Sequence, residues 1–287
     1  LRLDHYRRAD LELADNDKQL TVLVPRAALL LNPTKPLDIR LSYAAGYRGP
    51  QAFDEDLHIE NVGGAFEVVL LAPGLQAERS HSATASAEWT QPLGRSELRL
   101  TAEGFATRLL GGFASIPTAE DSAGNLIAIK QNADDIWVAG GTFSAALAVS
   151  TVLDVRLSFT GQMARYDQAI PWTDEELPGR ATTQAPLLRT PCAYGQAVMN
   201  YRPTQRWAFS LSSILTGEML VPYRIADAPQ AELRTSPIFA EVNAKVAYTQ
   251  PLSGRFAITL YGGAYNLFNS YQQDFDRGPD RDSDYVY

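Results

Sequence analysis

The chain predicts an all-β fold, an antiparallel up-and-down β-barrel of the transmembrane kind, and three observations carry that prediction. Short turns alternate with long polar stretches along the whole length. The segments between them alternate apolar and polar residues with period two. Their polar positions hold full charges, and aromatic residues gather at the segment ends. Short connections at one end and long loops at the other are the pattern of an outer-membrane barrel, and a soluble sandwich seldom keeps all its long loops on one side.

The tight connections are Leu31-Asn32-Pro33-Thr34-Lys35-Pro36, Gln91-Pro92-Leu93-Gly94, Val149-Ser150-Thr151-Val152, Arg202-Pro203-Thr204 and Gln250-Pro251-Leu252-Ser253-Gly254. Between them lie the polar stretches Tyr47–Leu75, Leu109–Asp134, Tyr166–Pro191 and Thr216–Ser236, which read as loops. Taken in order, Leu37, Ile39, Leu41 and Tyr43 oppose Asp38, Arg40 and Ser42. Leu98, Leu100 and Ala102 oppose Glu97, Arg99, Thr101 and Glu103. Leu153, Val155, Leu157, Phe159 and Met163 oppose Asp154, Arg156, Ser158, Thr160 and Gln162. Phe256, Ile258, Leu260 and Ala264 oppose Arg255, Thr259 and Tyr261. A helix would scatter these polar groups around its circumference. About eleven strands can be traced, with the start of a twelfth at Asp284-Tyr285-Val286-Tyr287, close to the even number such barrels use.

Alternation alone does not say which face is wet. A small soluble barrel packs apolar side chains inside, whereas a membrane barrel turns them out to lipid. Charges such as Glu97, Arg99, Asp154 and Arg156 favour a polar lumen. Trp89, Tyr43, Tyr248, Trp207 and Phe256 are expected to form an interfacial girdle near the short turns. No run approaches the ~20 apolar residues of a spanning helix, but a barrel strand needs only ~9–11 residues with alternate ones facing lipid. No signal peptide is visible, since Leu1–Tyr6 reads as mid-strand, and the natural chain is expected to be longer.

The formal charge of −8 argues against a nucleic-acid partner, which would need a basic face. Cys192 is the single cysteine, so neither a disulfide framework nor a thiolate metal cluster is available. The histidines are His5, His58 and His81, and neither a Gly-x-Ser-x-Gly elbow nor a His-Glu-x-x-His pair occurs. A hydrolase is thus a remote reading. His81 shares parity with Ala83, Ala85 and Ala87 and is expected to face outward near the rim. The stretch Asp274–Asp282 lacks the ordered spacing and closing Glu of a calcium loop. No cofactor is expected. Candidate ligand-binding residues are Arg48, at a strand-to-loop junction, and the closely spaced Asp54, Glu55, Asp56 and His58, whose oxygen and imidazole groups suit a cationic or metal-bearing ligand. Against that stand the plainer readings, an arginine paired with lumen or loop carboxylates and a solvated acidic loop.

Two motifs resemble the TonB-dependent outer-membrane receptors. Leu41-Ser42-Tyr43-Ala44-Ala45-Gly46-Tyr47-Arg48-Gly49-Pro50 is similar to the family's strand ending in Gly-aromatic-Arg-Ala-Pro, with Gly49 in place of the usual Ala. Its continuation, Gln51–Ile59, resembles receptors of the Bacteroides group. Tyr265-Asn266-Leu267-Phe268-Asn269 is similar to the family's Asn-Leu-Phe-Asn/Asp motif on the next-to-last strand. The resemblance implies that residues 1–287 are part of the barrel domain, about the C-terminal half of a 22-stranded barrel, with the plug, its TonB box and the last strand outside this sequence. It implies an outer-membrane receptor in contact with lipid, working with the TonB complex through the plug. The cargo would be a scarce nutrient such as a ferric siderophore, haem or cobalamin. A passive porin is the alternative, differing mainly in having no plug.

Overall fold

The computed structural model describes residues 2–7, 17–50, 67–120, 126–149, 151–172, 183–223 and 232–271. Ten strands form one antiparallel meander: β3 (Arg26–Thr34), β4 (Leu37–Arg48), β6 (Glu78–Leu93), β7 (Ser96–Leu110), β10 (Ile136–Val149), β11 (Leu153–Pro171), β13 (Ala193–Tyr201), β14 (Trp207–Thr216), β17 (Phe239–Pro251) and β18 (Ala257–Ala264). Each wall strand pairs with the preceding and following wall strand, as an up-and-down barrel requires. Two shorter strands precede them, β1 (Arg2–Arg7) and β2 (Asp17–Val22), paired with each other. The five tight turns fall where the sequence places them.

The long stretches are not simply loops. They contain β5 (Glu67–Leu71), β8 (Phe113–Glu120), β9 (Leu126–Asn132), β12 (Thr183–Pro186), β15 (Leu220–Tyr223) and β16 (Glu232–Thr235). β5, β9 and β8 make a separate three-stranded sheet, in which β5 runs parallel to β9. β15 pairs with β16, and β12 extends the edge of β11. These strands escape a period-two search because they do not divide lipid from lumen. Leu126-Ile127-Ala128-Ile129 shows no alternation at all. β11 likewise continues to Pro171, past the Tyr166 at which a loop was expected.

Register assigns every wall residue to a face, because directly paired residues share one. Ile39, Ala87, Ala102, Phe143 and Phe159 follow one another across five strands, as do Leu37, Trp89, Leu100, Ala145 and Leu157. The opposite face carries Arg40–Ser86–Glu103–Thr142–Thr160 and Asp154–Asn200–Ser210–Lys245. On that face hydroxyls bridge neighbouring strands. Ser42 meets Thr84, and Ser82–Thr107, Thr142–Thr160 and Ser144–Ser158 each lie 2.9 Å apart. Such cross-strand pairs contribute roughly 0.2–1 kcal/mol apiece.

The polar face is the crowded one. Thr160 is 5% exposed, while its chain neighbour Phe159, on the other face, is 50% exposed. The apolar residues therefore do not gather in an interior. Leu157, Phe159 and Leu260 stand open on a contiguous outer surface, and a patch of that kind needs a covering partner. The inside-out assignment made from the alternation holds.

Trp89, Trp207, Tyr248 and Phe256 lie toward the tight-turn ends as expected, with Trp207 and Tyr248 rings 4.8 Å apart. Tyr43 does not belong with them. Its row is Tyr43–Ala83–Ala106–Ala139–Met163, toward the long-loop end, and its hydroxyl lies 2.6 Å from His81 Nδ1. Within its own hairpin Tyr43 pairs with Ala27 near the start of β3, at the end away from the Lys35-Pro36 turn. His81 does face outward, as its parity implied.

Gly140 shows how closely the wall strands pack. A Cβ there would lie 2.3 Å from the Gly161 carbonyl oxygen and 2.8 Å from the Phe105 ring, which reaches across it on the lumen face. We expect Gly140→Val to destabilise the barrel by about 1–3 kcal/mol, since backbone must move to admit it. Gly104→Val, with nothing within 4 Å of the built Cβ, is the matched control. A lowered urea midpoint for the first variant alone checks the difference.

Candidate functional site at the long-loop end of the wall

The loop-side end of the wall is held together by a cluster centred on Glu78. β4 ends at Arg48 and β6 begins at Glu78, and the register sets these two residues opposite one another on the lumen face. Arg48 grips the carboxylate with both arms of its guanidinium: Nε lies 2.6 Å from Oε2 and Nη2 lies 2.9 Å from Oε1. The two partners differ in burial. The Glu78 side chain is 6% exposed and that of Arg48 46%. Two parallel charge-assisted bonds fix orientation as well as distance.

Phe113 joins the cluster from both its backbone and its ring. Its N–H donates to Glu78 Oε1 at 2.5 Å. Its ring centroid lies 4.9 Å from the Arg48 guanidinium carbon and 5.4 Å from Lys130 Nζ, within the range of cation–π attraction. Lys130 is 2% exposed, and its carbonyl accepts from Ala72 N–H at 2.9 Å. Asn132 ties the same region to the chain leading into β6. Its Oδ1 accepts from Gln76 N–H, and its Nδ2 donates to the carbonyls of Gln76 and Gly111. One carboxylate thus links two wall strands to the accessory sheet β5–β9–β8.

Of the candidate residues, Arg48 is described, and the structure places it in the ion pair with Glu78. That matches its reading as a paired arginine. Asp54, Glu55, Asp56 and His58 lie outside the described residues. Sequence reasoning missed Glu78, Phe113 and Lys130. Glu78 could have been found by continuing the β4–β6 alternation upward, but Phe113 and Lys130 are brought in by a strand pairing that carries no local signal. Among the described residues no group of three or more His, Cys, Asp or Glu side chains converges as a metal site. The acidic run Asp274–Asp282 also lies outside them.

The second motif is a structural clamp. Asn266 and Asn269 have φ of 49° and 54°, a region asparagine tolerates better than most residues. Asn266 N–H donates to Asn243 Oδ1 at 2.8 Å, and its side-chain amide exchanges hydrogen bonds with the backbone of Ser270 at 2.7 and 2.8 Å. The motif lies immediately past β18 and not within a strand, because two left-handed residues cannot continue an extended chain.

Comparison with known proteins agrees with this architecture. The family model for "TonB dependent receptor-like, beta-barrel" matches residues 1–267. No curated protein matches the sequence. Among solved structures, the FrpB iron transporter of Neisseria meningitidis (F3-3 variant) superposes with TM-score 0.59 at 14% identity, over 88% of this chain and 35% of its own. The ferric-catecholate import receptor Fiu of E. coli K12, in its closed form, gives TM-score 0.58 at 15% identity over 99% and 38%. The copper transporter OprC gives 0.60 at 11% identity over 96% and 38%. At these identities the structural likeness shows the fold, and the chain spans little more than a third of each. The matching family is one of outer-membrane transport receptors and not of enzymes. This chain belongs to the TonB-dependent receptor-like β-barrel family.

Proposed function

We propose that residues 1–287 form part of the barrel domain of an outer-membrane receptor that imports a scarce metal chelate or vitamin, such as a ferric siderophore, haem or cobalamin, with energy delivered through TonB. The plug that contacts TonB, and the last strand, belong to the remainder of the protein. The observation that carries this reading is the sheet's division into a contiguous apolar outer face and a charged, hydroxyl-lined inner face, topped by an ordered, ion-paired mouth. That arrangement suits a polar cargo crossing a lipid layer. Family membership supports the transport role. The iron and copper named for the three structural neighbours support a metal-bearing cargo.

The loop leaving β4 is the proposed recognition element, with Asp54, Glu55, Asp56 and His58 at its start and Arg48 anchoring its root. Loops at a barrel rim carry recognition, whereas hydrogen bonding between strands carries stability. Deleting residues 51–66 should therefore abolish energised uptake of the metal chelate while leaving membrane insertion intact. Loss of insertion along with uptake would assign that segment to the wall. Replacing Asp54, Glu55 and Asp56 by their amides should weaken binding of a cationic cargo and reduce its salt sensitivity. Uptake that continued after the proton gradient was collapsed would favour a passive porin instead.

A further inference from the structure

The two long connections that carry strands β5, β8 and β9 are not independent of each other. β5 lies between the wall strands β4 and β6, whereas β8 and β9 lie between β7 and β10. β9 nonetheless takes β5 as its parallel neighbour, with Leu70 opposite Ile129, and β8 as its antiparallel one. Among the described residues no wall strand pairs with any of the three. A lone two-stranded hairpin is marginal in water, and a third strand with an apolar face is what makes a small sheet hold. The β8–β9 hairpin therefore depends on a strand from the other connection, and β5 in turn depends on β9.

Two stems join this sheet to the wall. The first is the run from Ala72 to Gln76 that leads into β6. The second is formed by Gly111 and Gly112 with Ala133, whose N–H donates to the Gly112 carbonyl at 2.6 Å. Asn132 bonds to both, to the backbone of Gln76 in the first and to the Gly111 carbonyl in the second. Each stem carries a glycine in the left-handed region, Gly74 at φ 84° and Gly111 at φ 60°. Such positions at a junction absorb a change in chain direction at little steric cost. Beside the stems stands the Glu78 carboxylate of the wall, which holds the N–H of Phe113, the first residue of β8.

We propose that β5, β8 and β9 move as one body about these two stems, with Glu78 as the latch that pins the body to the wall. The sheet hydrogen bonds are internal to the body and survive the motion. The Glu78–Phe113 bond and the Arg48 guanidinium over the Phe113 ring connect body to wall and are released by it. A contact made on either connection is then felt by both, although the whole β6–β7 hairpin separates them in sequence. The motion belongs to the chain's own segments and holds whatever cargo the receptor takes.

Dipolar coupling between pairs of spin labels tests it, on the full-length protein that carries this chain, in lipid nanodiscs and with Cys192→Ser to remove the native thiol. The labels go on Leu70→Cys in β5, Gln131→Cys in β9 and Gln205→Cys in the turn between β13 and β14, all three exposed positions. With the latch intact each distance should be narrowly distributed. Glu78→Ala should widen the Leu70–Gln205 and Gln131–Gln205 distributions together and leave the Leu70–Gln131 distribution unchanged. Widening of Leu70–Gln131, or of only one of the other two, would mean that the connections move separately and would overturn the single body. No widening at all would overturn the latch. Should Glu78→Ala fail to assemble, Arg48→Met opens the same latch from its other side. Hydrogen exchange in the unsubstituted protein gives a check that needs no variant, since amides of β5, β8 and β9 should share one opening free energy, lower than that of β10 and β11. A β5 that exchanged independently of β8 and β9 would likewise sink the proposal.

Discussion

Replacing Arg48 by methionine is expected to loosen the loop-side end of the wall by about 3 kcal/mol, the scale for breaking a buried ion pair from one side. The Glu78 carboxylate has little access to water, so removal of its bidentate partner leaves a charge with only part of its hydrogen bonding. The Phe113 N–H bond would remain, but Phe113 would lose the guanidinium over its ring. The effect should be local. Amide hydrogen exchange at Phe113 and through β8 and β9 should rise, while β10, β11 and β13 keep their protection. Glu78→Gln should cost less, since an acceptor for Phe113 is kept. Unchanged exchange after Arg48→Met, together with weakened cargo binding, would make Arg48 a ligand contact and deny the cluster its bracing role.

Leu157→Arg is expected to impair assembly in lipid by about 2–4 kcal/mol, the cost of a cation on the lipid face near the bilayer midplane. Leu157 lies midway along the outward run from Leu153 to Met163 and is 51% exposed in the protein alone, so under the proposed placement it faces lipid. Ser158→Arg, one residue along and on the lumen face, should be tolerated apart from loss of the 2.9 Å bond to Ser144. Folding titrations into vesicles, read by heat-dependent gel mobility, separate the two. Greater damage from the lumen variant would reverse the facing of the whole wall.

Much of the fold was legible because a membrane barrel writes its two faces into alternate residues. Leu153–Met163 and Ser96–Leu110 declare strand, length and face without any partner strand being known. The turns at Pro36, Gly94 and Gly254 were equally plain. Arg48 was legible as a junction residue, and the alternation of β6 reaches Glu78, but only the register sets these two residues, thirty positions apart, opposite one another. Phe113 and Lys130 were hidden for a related reason. Lys130 lies on β9, which pairs parallel with β5 and antiparallel with β8, the strand of Phe113, and such pairings depend on which segments meet in space.

The sequence by itself determined the secondary structure of the wall, the polarity of its two faces and, through two motifs, the family resemblance, because each of these is set within about a dozen residues by side-chain alternation and turn chemistry. Only the tertiary structure decided the stagger between hairpins. That stagger set Tyr43 beside His81, paired Arg48 with Glu78, and aligned Arg108, Trp137 and Arg165 in one row. Stagger is a relation between strands. It follows from backbone hydrogen bonding, which is nearly blind to side-chain identity, so no single segment records it.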